Sequence, residues 1–358
     1  MIPIRNLYYL LCYAWHRLDH GSLVDVEALP RQDLPNLLAR VLVRGLHRLQ
    51  RQGMDRVYVG ASIETLSPRG KIDVGQTLKR GLLIRNAVAC SVDELSRDVL
   101  HNQILKATLS RLALARELDS GLAHQLRTLY REMAEISDIS LRAEHFSRVQ
   151  LHRNNGFYRF LLHICQLCFF ALLPDEAGSG YRFQDFVRDE NRMRAVFQDF
   201  IYNFYDLEQR AFKVRSQQLE WDLSFADAGA RALLPQMRTD VCLESETRKI
   251  VIECKFTPTV LQEHWSKLSA RSEHLYQLFT YLKQLEGKGG INRHSDGLLL
   301  YPTVAHPVDM TFQTQGHTVR VFTVDLRQEW PVIRQTLLGL LQDWGPVELR
   351  TPHAAMPA

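Results

Sequence analysis

Residues 237–256 read MRTDVCLESETRKIVIECKF, two runs of strand-forming residues on either side of the polar Ser245-Glu246-Thr247-Arg248. Apolar runs broken by a short polar turn predict a β-hairpin. Side chains along a strand alternate between faces, so in KIVIECKF Ile250, Ile252 and Cys254 point one way and Val251, Glu253 and Lys255 the other. Two residues apart on one face is roughly 7 Å along the strand. Asp240, on the partner run, can reach the same spot. Two converging carboxylates form an oxygen-rich pocket for a hard cation such as Mg2+. Such an ion lowers the pKa of water and stabilises charge building on a phosphodiester, and a neighbouring lysine can hold the attacking water or neutralise that charge. Buried acids beside an apolar run need a metal or a partner. Taken alone, the same spacing also fits a hairpin with a cross-strand ion pair.

Outward from this hairpin, the pattern predicts a helix over 190–207, strands near 211–225, 237–244 and 249–256, a helix over 262–285, strands at 297–302 and near 318–325, and a last helix over 330–343. That order suits an α/β domain with a mixed sheet flanked by helices. The first half reads differently. Ile4, Leu7, Leu11, Ala14, Trp15 and Leu18 share one helical face, and 33–53 forms a second amphipathic helix ending at Gly53. Residues 55–74 alternate like short strands, broken at Ser67-Pro68 and Gly70. Helices are expected around 94–117 and 119–136, with Asp93, Glu94, Asp98 and Asn102 as a charged helix start. A further helix over 156–172 is apolar nearly all round. The stretch 172–183, with Pro174 and Gly178-Ser179-Gly180, reads as a linker. The expected fold class is therefore α+β or α/β. It has a helical N-terminal domain with a β-rich insert (1–175), a mixed-sheet domain (176–345) and a disordered Pro/Ala-rich tail (346–358).

The chain has 358 residues, of which 46% are hydrophobic and 23% charged, enough for two soluble domains. A net charge of +4 permits nucleic-acid contact without arguing for it. Six scattered cysteines do not make a disulfide framework. Cys165 and Cys168 form a C-x-x-C inside an apolar helix with no second pair at zinc-site spacing, so core packing is the better reading. Tyr8, Tyr9, Tyr13 and Trp15 suit either a core or a protein interface. Arg69-Gly70-Lys71 is either a solvated turn or a contact with a partner or DNA. No stretch approaches the roughly 20 apolar residues of a membrane span, and the opening helix lacks a signal-peptide cleavage end. The expected location is the cytoplasm.

In the predicted helix after the hairpin, Gln277 and Tyr281 lie four apart and so face the same way. This Q-x-x-x-Y resembles a motif that follows the catalytic strands in the RecB-like branch of the PD-(D/E)xK nucleases. The resemblance then widens. IPIRNLYYLLCYAW, RGKIDV, DELSRDVLHNQILKATLSRL, LPQMRTD, IVIECKF, HLYQLFTYL, GLLLYP and QEWPVI are together similar to the McrC family, from about residue 2 to 343. McrC proteins are the nuclease subunits of the McrBC modification-dependent restriction systems. The resemblance implies a PD-(D/E)xK (restriction-endonuclease-like) C-terminal domain, with Asp240, Glu253 and Lys255 at the catalytic positions and Mg2+ on the two acids. It further implies an N-terminal domain that docks on a hexameric AAA+ GTPase, McrB, and stimulates its GTP hydrolysis. That partner recognises 5-methylcytosine in double-stranded DNA and translocates it. The 358 residues contain no G-x-x-x-x-G-K-[ST] loop, so GTP belongs to the partner. Thr239 stands where the family pattern has proline, and Glu253 where aspartate is frequent. Gln198 stands at the position of a further acid on the 190–207 helix, with Glu190 as a weak substitute. The alternatives are a stand-alone RecB-like DNA-processing nuclease and a non-catalytic adaptor that only activates the GTPase.

Overall fold

The computed structural model describes residues 2–15, 33–151, 155–175, 180–184, 189–225, 227–257, 260–264, 267–303 and 307–342. The expected tail lies outside them. Contacts divide the chain into two units, Met1–Gly21 with Asp185–Ala358, and Ser22–Gln184. The division differs from the expected border at 175/176 in one telling way. Helix α1 (Ile4–Ala14) belongs with the C-terminal unit, because Leu10, Tyr13 and Ala14 fill the same core as Phe197, Phe200 and Phe204.

The smaller unit is largely helical. Its first helix, α2 (Leu34–Gln52), starts where Asp33 accepts a hydrogen bond from the Asn36 amide at 3.0 Å and stops at Gly53. Strands β1 (Val57–Thr65), β2 (Lys71–Ile72) and β3 (Val88–Ser96) form an antiparallel sheet in the order β1-β3-β2, with α3 (Val74–Lys79) between the last two in sequence. Gly70 has φ of 73°, and a Cβ there would meet the Ser91 carbonyl at 2.4 Å, so glycine lets the chain enter β2 against β3. Helices α4 (Leu100–Leu112), α5 (Ser120–Glu132), α6 (Ala143–Arg148) and α7 (Gly156–Ala171) follow. The stretch read as a linker contains a hairpin of β4 (Leu172–Pro174) and β5 (Tyr181–Phe183). The expected helix from 94 is corrected too. Asp93 and Glu94 pair with Gly60 and Val59 in β3, because the nine-residue β1–β3 register satisfies their backbone before any helix begins. Asp98 instead accepts from the Ser137 amide at 2.8 Å, and Asn102 donates to the Asp55 and Arg97 carbonyls. Cys165 and Cys168 are buried free thiols in α7.

The larger unit is a three-layer α/β/α arrangement. After α8 (Glu190–Glu208) come β6 (Lys213–Arg215), β7 (Gln218–Leu219), α9 (Ala228–Leu233), β8 (Met237–Arg238), β9 (Val241–Glu244) and β10 (Lys249–Cys254). Then β11 (Leu261–His264) and β12 (Lys267–Ala270) form a hairpin. Helix α10 (Ser272–Glu286), β13 (Asp296–Pro302), β14 (Asp309–Thr314), β15 (His317–Val324) and α11 (Trp330–Gly339) complete the unit. The helix expected from 262 thus starts ten residues later. Leu261, Leu268 and Leu275 repeat every seven residues and mimic a helical stripe, yet the pairing of β11 with β12 takes up the backbone groups of the first half.

The six-stranded sheet has the order β14-β15-β13-β10-β9-β6. Its β10, β13 and β15 run parallel, and the rest are antiparallel to their neighbours. The β9–β10 hairpin pairs as its sequence predicts, from Lys249↔Glu244 to Ile252↔Val241. One face, with Ile250, Ile252, Leu298 and Leu300, packs on α1, α8 and α11; the other, with Val251, Leu299 and Val321, packs on α10. A Cβ on Gly297 would meet Leu278 and Leu282 of α10 at 3.0 Å, so glycine brings α10 close to the sheet. Among the described residues, no helix is long and apolar enough to cross a membrane.

Candidate functional site

The central strand β10 is buried along its whole length. Parallel pairing with β13 and helices on both faces leave no side of it wet, so its residues should be apolar. Glu253 breaks that rule with 2% of its surface exposed. It lies on the α10 side, with Val251, as the alternation predicts. Asp240 immediately precedes β9 and comes to the same strand end, where its carboxylate accepts the Cys254 amide hydrogen at 2.8 Å. Thr239 fixes that approach. Its amide donates to the Gln217 carbonyl at 3.0 Å and its hydroxyl accepts from the Gln217 amide at 2.9 Å. The first of these bonds is one that proline cannot make.

Lys255 follows the strand, its amide still donating to Leu300 at 2.9 Å. Its ammonium is held between Glu253 Oε1 at 2.8 Å and Gln277 Oε1 at 2.7 Å. Gln277 in turn donates through Nε2 to the Tyr281 hydroxyl at 2.8 Å, one turn on along α10. Glu253, Lys255, Gln277 and Tyr281 are therefore joined by hydrogen bonds, and the Cys254 amide holds Asp240 at the same strand end. Gln198 does not join it: among the described residues it has no hydrogen bond to any of them. The α8 residue whose charge acts on Asp240 is Arg194, one turn earlier.

Burial sets the electrostatics. It pushes the Glu253 carboxyl up to about 7, with the nearby Asp240 charge adding to the shift and the Lys255 ammonium opposing it. Burial also raises Asp240, against the Cys254 amide and the charges of Lys255 and Arg194. Two acids that each resist ionisation beside the other are short of positive charge. Glu253 Oε2 is buried with no hydrogen-bond partner, and an orphaned buried oxygen is costly. A carboxylate oxygen without a donor, next to a second carboxylate, is a donor set that fits a hard divalent cation. Among the described residues, no group of three or more His, Cys, Asp or Glu side chains gathers as a metal cluster. Two carboxylates suffice for Mg2+, which keeps several waters and takes further oxygens from phosphate.

Beside Lys255 opens a cleft of about 220 Å³, lined also by Glu190, Arg194, Phe256, Thr257, Arg271, Glu273 and His274. Arg194, Arg271 and His274 belong to no pattern that the sequence alone singles out as a site. One signal was available: His274 lies three residues before Gln277 and so near the same helical face.

A mixed sheet between helices, with a buried carboxylate, a half-buried one and a lysine at one strand end, defines the architecture. The family model for the McrBC 5-methylcytosine restriction system component matches residues 5–302, and the chain belongs to that family. It is 31% identical over 344 residues to the type IV methyl-directed restriction enzyme EcoKMcrBC of Escherichia coli, spanning 96% of this chain and 98% of that protein. In fold it is similar to a chain of the tetradecameric assembly of Thermococcus gammatolerans McrB AAA+ hexamers with bound McrC. There the TM-score is 0.59 at 18% identity, over 94% of this chain and 76% of that one.

Proposed function

We propose that this chain is the McrC-type subunit of its restriction system, a Mg2+-dependent endodeoxyribonuclease of the PD-(D/E)xK kind. The observation that carries the reading is the unpartnered Glu253 Oε2 beside Asp240, with the Lys255 ammonium held at the same strand end. Asp240 and Glu253 would hold the ion, which when bound supplies Lewis-acid polarisation of a phosphodiester and a lowered pKa for water. Lys255, steered by Glu253 and Gln277, keeps one donor for a phosphate oxygen or the attacking water. Tyr281 positions Gln277, and Gln277 positions Lys255.

The partner follows from similar reasoning. The Escherichia coli relative is a methyl-directed restriction enzyme and the structural neighbour is an assembly of McrB AAA+ hexamers with McrC. This chain has no phosphate-binding loop in its sequence. We therefore assign GTP hydrolysis and recognition of modified cytosine in double-stranded DNA to an McrB-like hexamer, with this chain stimulating the GTPase. The smaller unit is the docking module. Its sheet and the turns beside it expose the apolar side chains Tyr58, Leu66, Leu83 and Ile84 to solvent, where a partner could cover them.

The test is DNA cleavage by the assembled complex carrying Asp240→Ala or Lys255→Ala. Loss on the order of 100- to 1000-fold, with GTPase stimulation retained, is expected. Full cleavage by either variant would remove the nuclease from this chain and leave a non-catalytic adaptor.

A further inference from the structure

The cleft beside Lys255 contains more positive charge than the cleavage chemistry described above uses. Arg194 and Arg271 face it from α8 and from the residue that precedes α10, and Thr257 and His274 complete its wall. Its two acids are unequal. Glu273 is already engaged by Arg271 at 3.2 Å and lies 3.6 Å from His274. Glu190 stands four residues before Arg194 on α8, a spacing that favours an ion pair. Yet among the described residues Arg194 has no ion-pair or hydrogen-bond partner. It lines the cleft, and its charge acts on both Asp240 and His274.

His274 reports the same field. Its Nδ1 lies 2.9 Å from the Tyr301 hydroxyl. Burial and the charges of Lys255, Arg271 and Arg194 hold the imidazole down to about 4. A neutral imidazole adds no charge to the cleft and carries a single N–H, on the ring nitrogen that the tautomer selects. An unpaired guanidinium, a second arginine and a threonine hydroxyl suit the tetrahedral oxygens of a phosphate, for which arginine has the matching fork.

We propose that this cleft seats a backbone phosphate of the DNA strand next to the one that is cut, gripped by Arg194 and Arg271. The proposal rests on the DNA-cleaving reading above and deepens it: these side chains fix the register of the strand across the carboxylates. Phosphate contacts of this kind position a strand without reading its sequence. Arg194 is a positioning residue and touches no reacting atom.

The experiment measures binding without cutting. The full-length chain carrying Asp240→Asn is titrated with a short labelled duplex over a series of salt concentrations. Each neutralised phosphate adds about 0.9 to the slope of log affinity against log salt. Arg194→Ala is expected to weaken binding and lower that slope by about 0.9, whereas Arg194→Lys keeps the slope. Arg271→Ala, as a second and independent variant, should lower it similarly. An unchanged slope in both alanine variants, or a parent chain whose affinity ignores salt, overturns the phosphate seat. The nuclease reading fails separately, through cleavage that survives Asp240→Ala.

Discussion

The strands β10 and β3 are both built from short alternating runs, and they end up in opposite surroundings. In β10 every residue is buried, and a carboxylate is trapped among aliphatic neighbours. In the sheet of β3 the reverse holds, with Tyr58 68% and Leu95 52% exposed although both are apolar. Exposed apolar residues are ordinary one at a time, but a buried carboxylate oxygen without a hydrogen-bond donor, or several uncovered apolar side chains in one unit, is informative. The dry strand has a polar group that needs a ligand, and the wet sheet has apolar groups that need a cover. We read the first as the chemical end of the molecule and the second as its recognition end.

The contrast can be broken first by opening the dry side. Leu10 of α1 is completely buried in the core beneath β10. Leu10→Ala should cost about 2–5 kcal/mol, seen as a lowered midpoint in denaturant unfolding. A cost under about 0.5 kcal/mol would separate α1 from the unit to which its contacts assign it.

A smaller effect, of opposite sign, is expected at Glu253. Its carboxyl is raised from 4.5 to about 7, so between those pH values the folded chain holds a proton that the unfolded chain has lost. Stability therefore falls as pH rises through that window, and the full penalty is present above it. In metal-free buffer near pH 8, Glu253→Gln should stabilise the chain by on the order of 1–3 kcal/mol, while the advantage vanishes below the ordinary carboxylate range. Thermal melts at the two pH values check this. A destabilised variant at high pH would mean that the Lys255 pair outweighs the burial of charge.

The smallest change in stability belongs to the wet side. Leu83→Asp and Ile84→Asp alter side chains that are 56% and 90% exposed, and each should move stability by no more than about 0.5 kcal/mol. The same variants should lose stimulation of an McrB-like GTPase, measured as phosphate release. Undiminished stimulation would move the docking surface elsewhere.

The site was readable in the sequence where one strand's alternation decides it. KIVIECKF places Glu253 and Lys255 together through a period of two, and the polar turn at 245–248 fixes the hairpin. The Gln277–Tyr281 pair was readable through the helical period. What escaped depended on long-range packing. Asp93 and Glu94 resemble a helix start until β1 supplies a partner strand, 35 residues away in Val59↔Glu94 and 33 in Gly60↔Asp93. Residues 261–270 imitate the helix that follows them, and the exposed edge strand β14 has no buried face to announce it. Arg194 was invisible for the same reason: nothing local in α8 says which turn will face the end of β10.

The carboxylate pair itself is tested most directly by titrating the isolated full-length chain with Mg2+ or Mn2+ near pH 8 and following its melting temperature. Binding to the folded state alone raises stability with ion concentration. The parent should be stabilised progressively, and Asp240→Asn and Glu253→Gln should lose that response. Equal stabilisation of all three proteins, or none in the parent, would contradict a cation shared by Asp240 and Glu253.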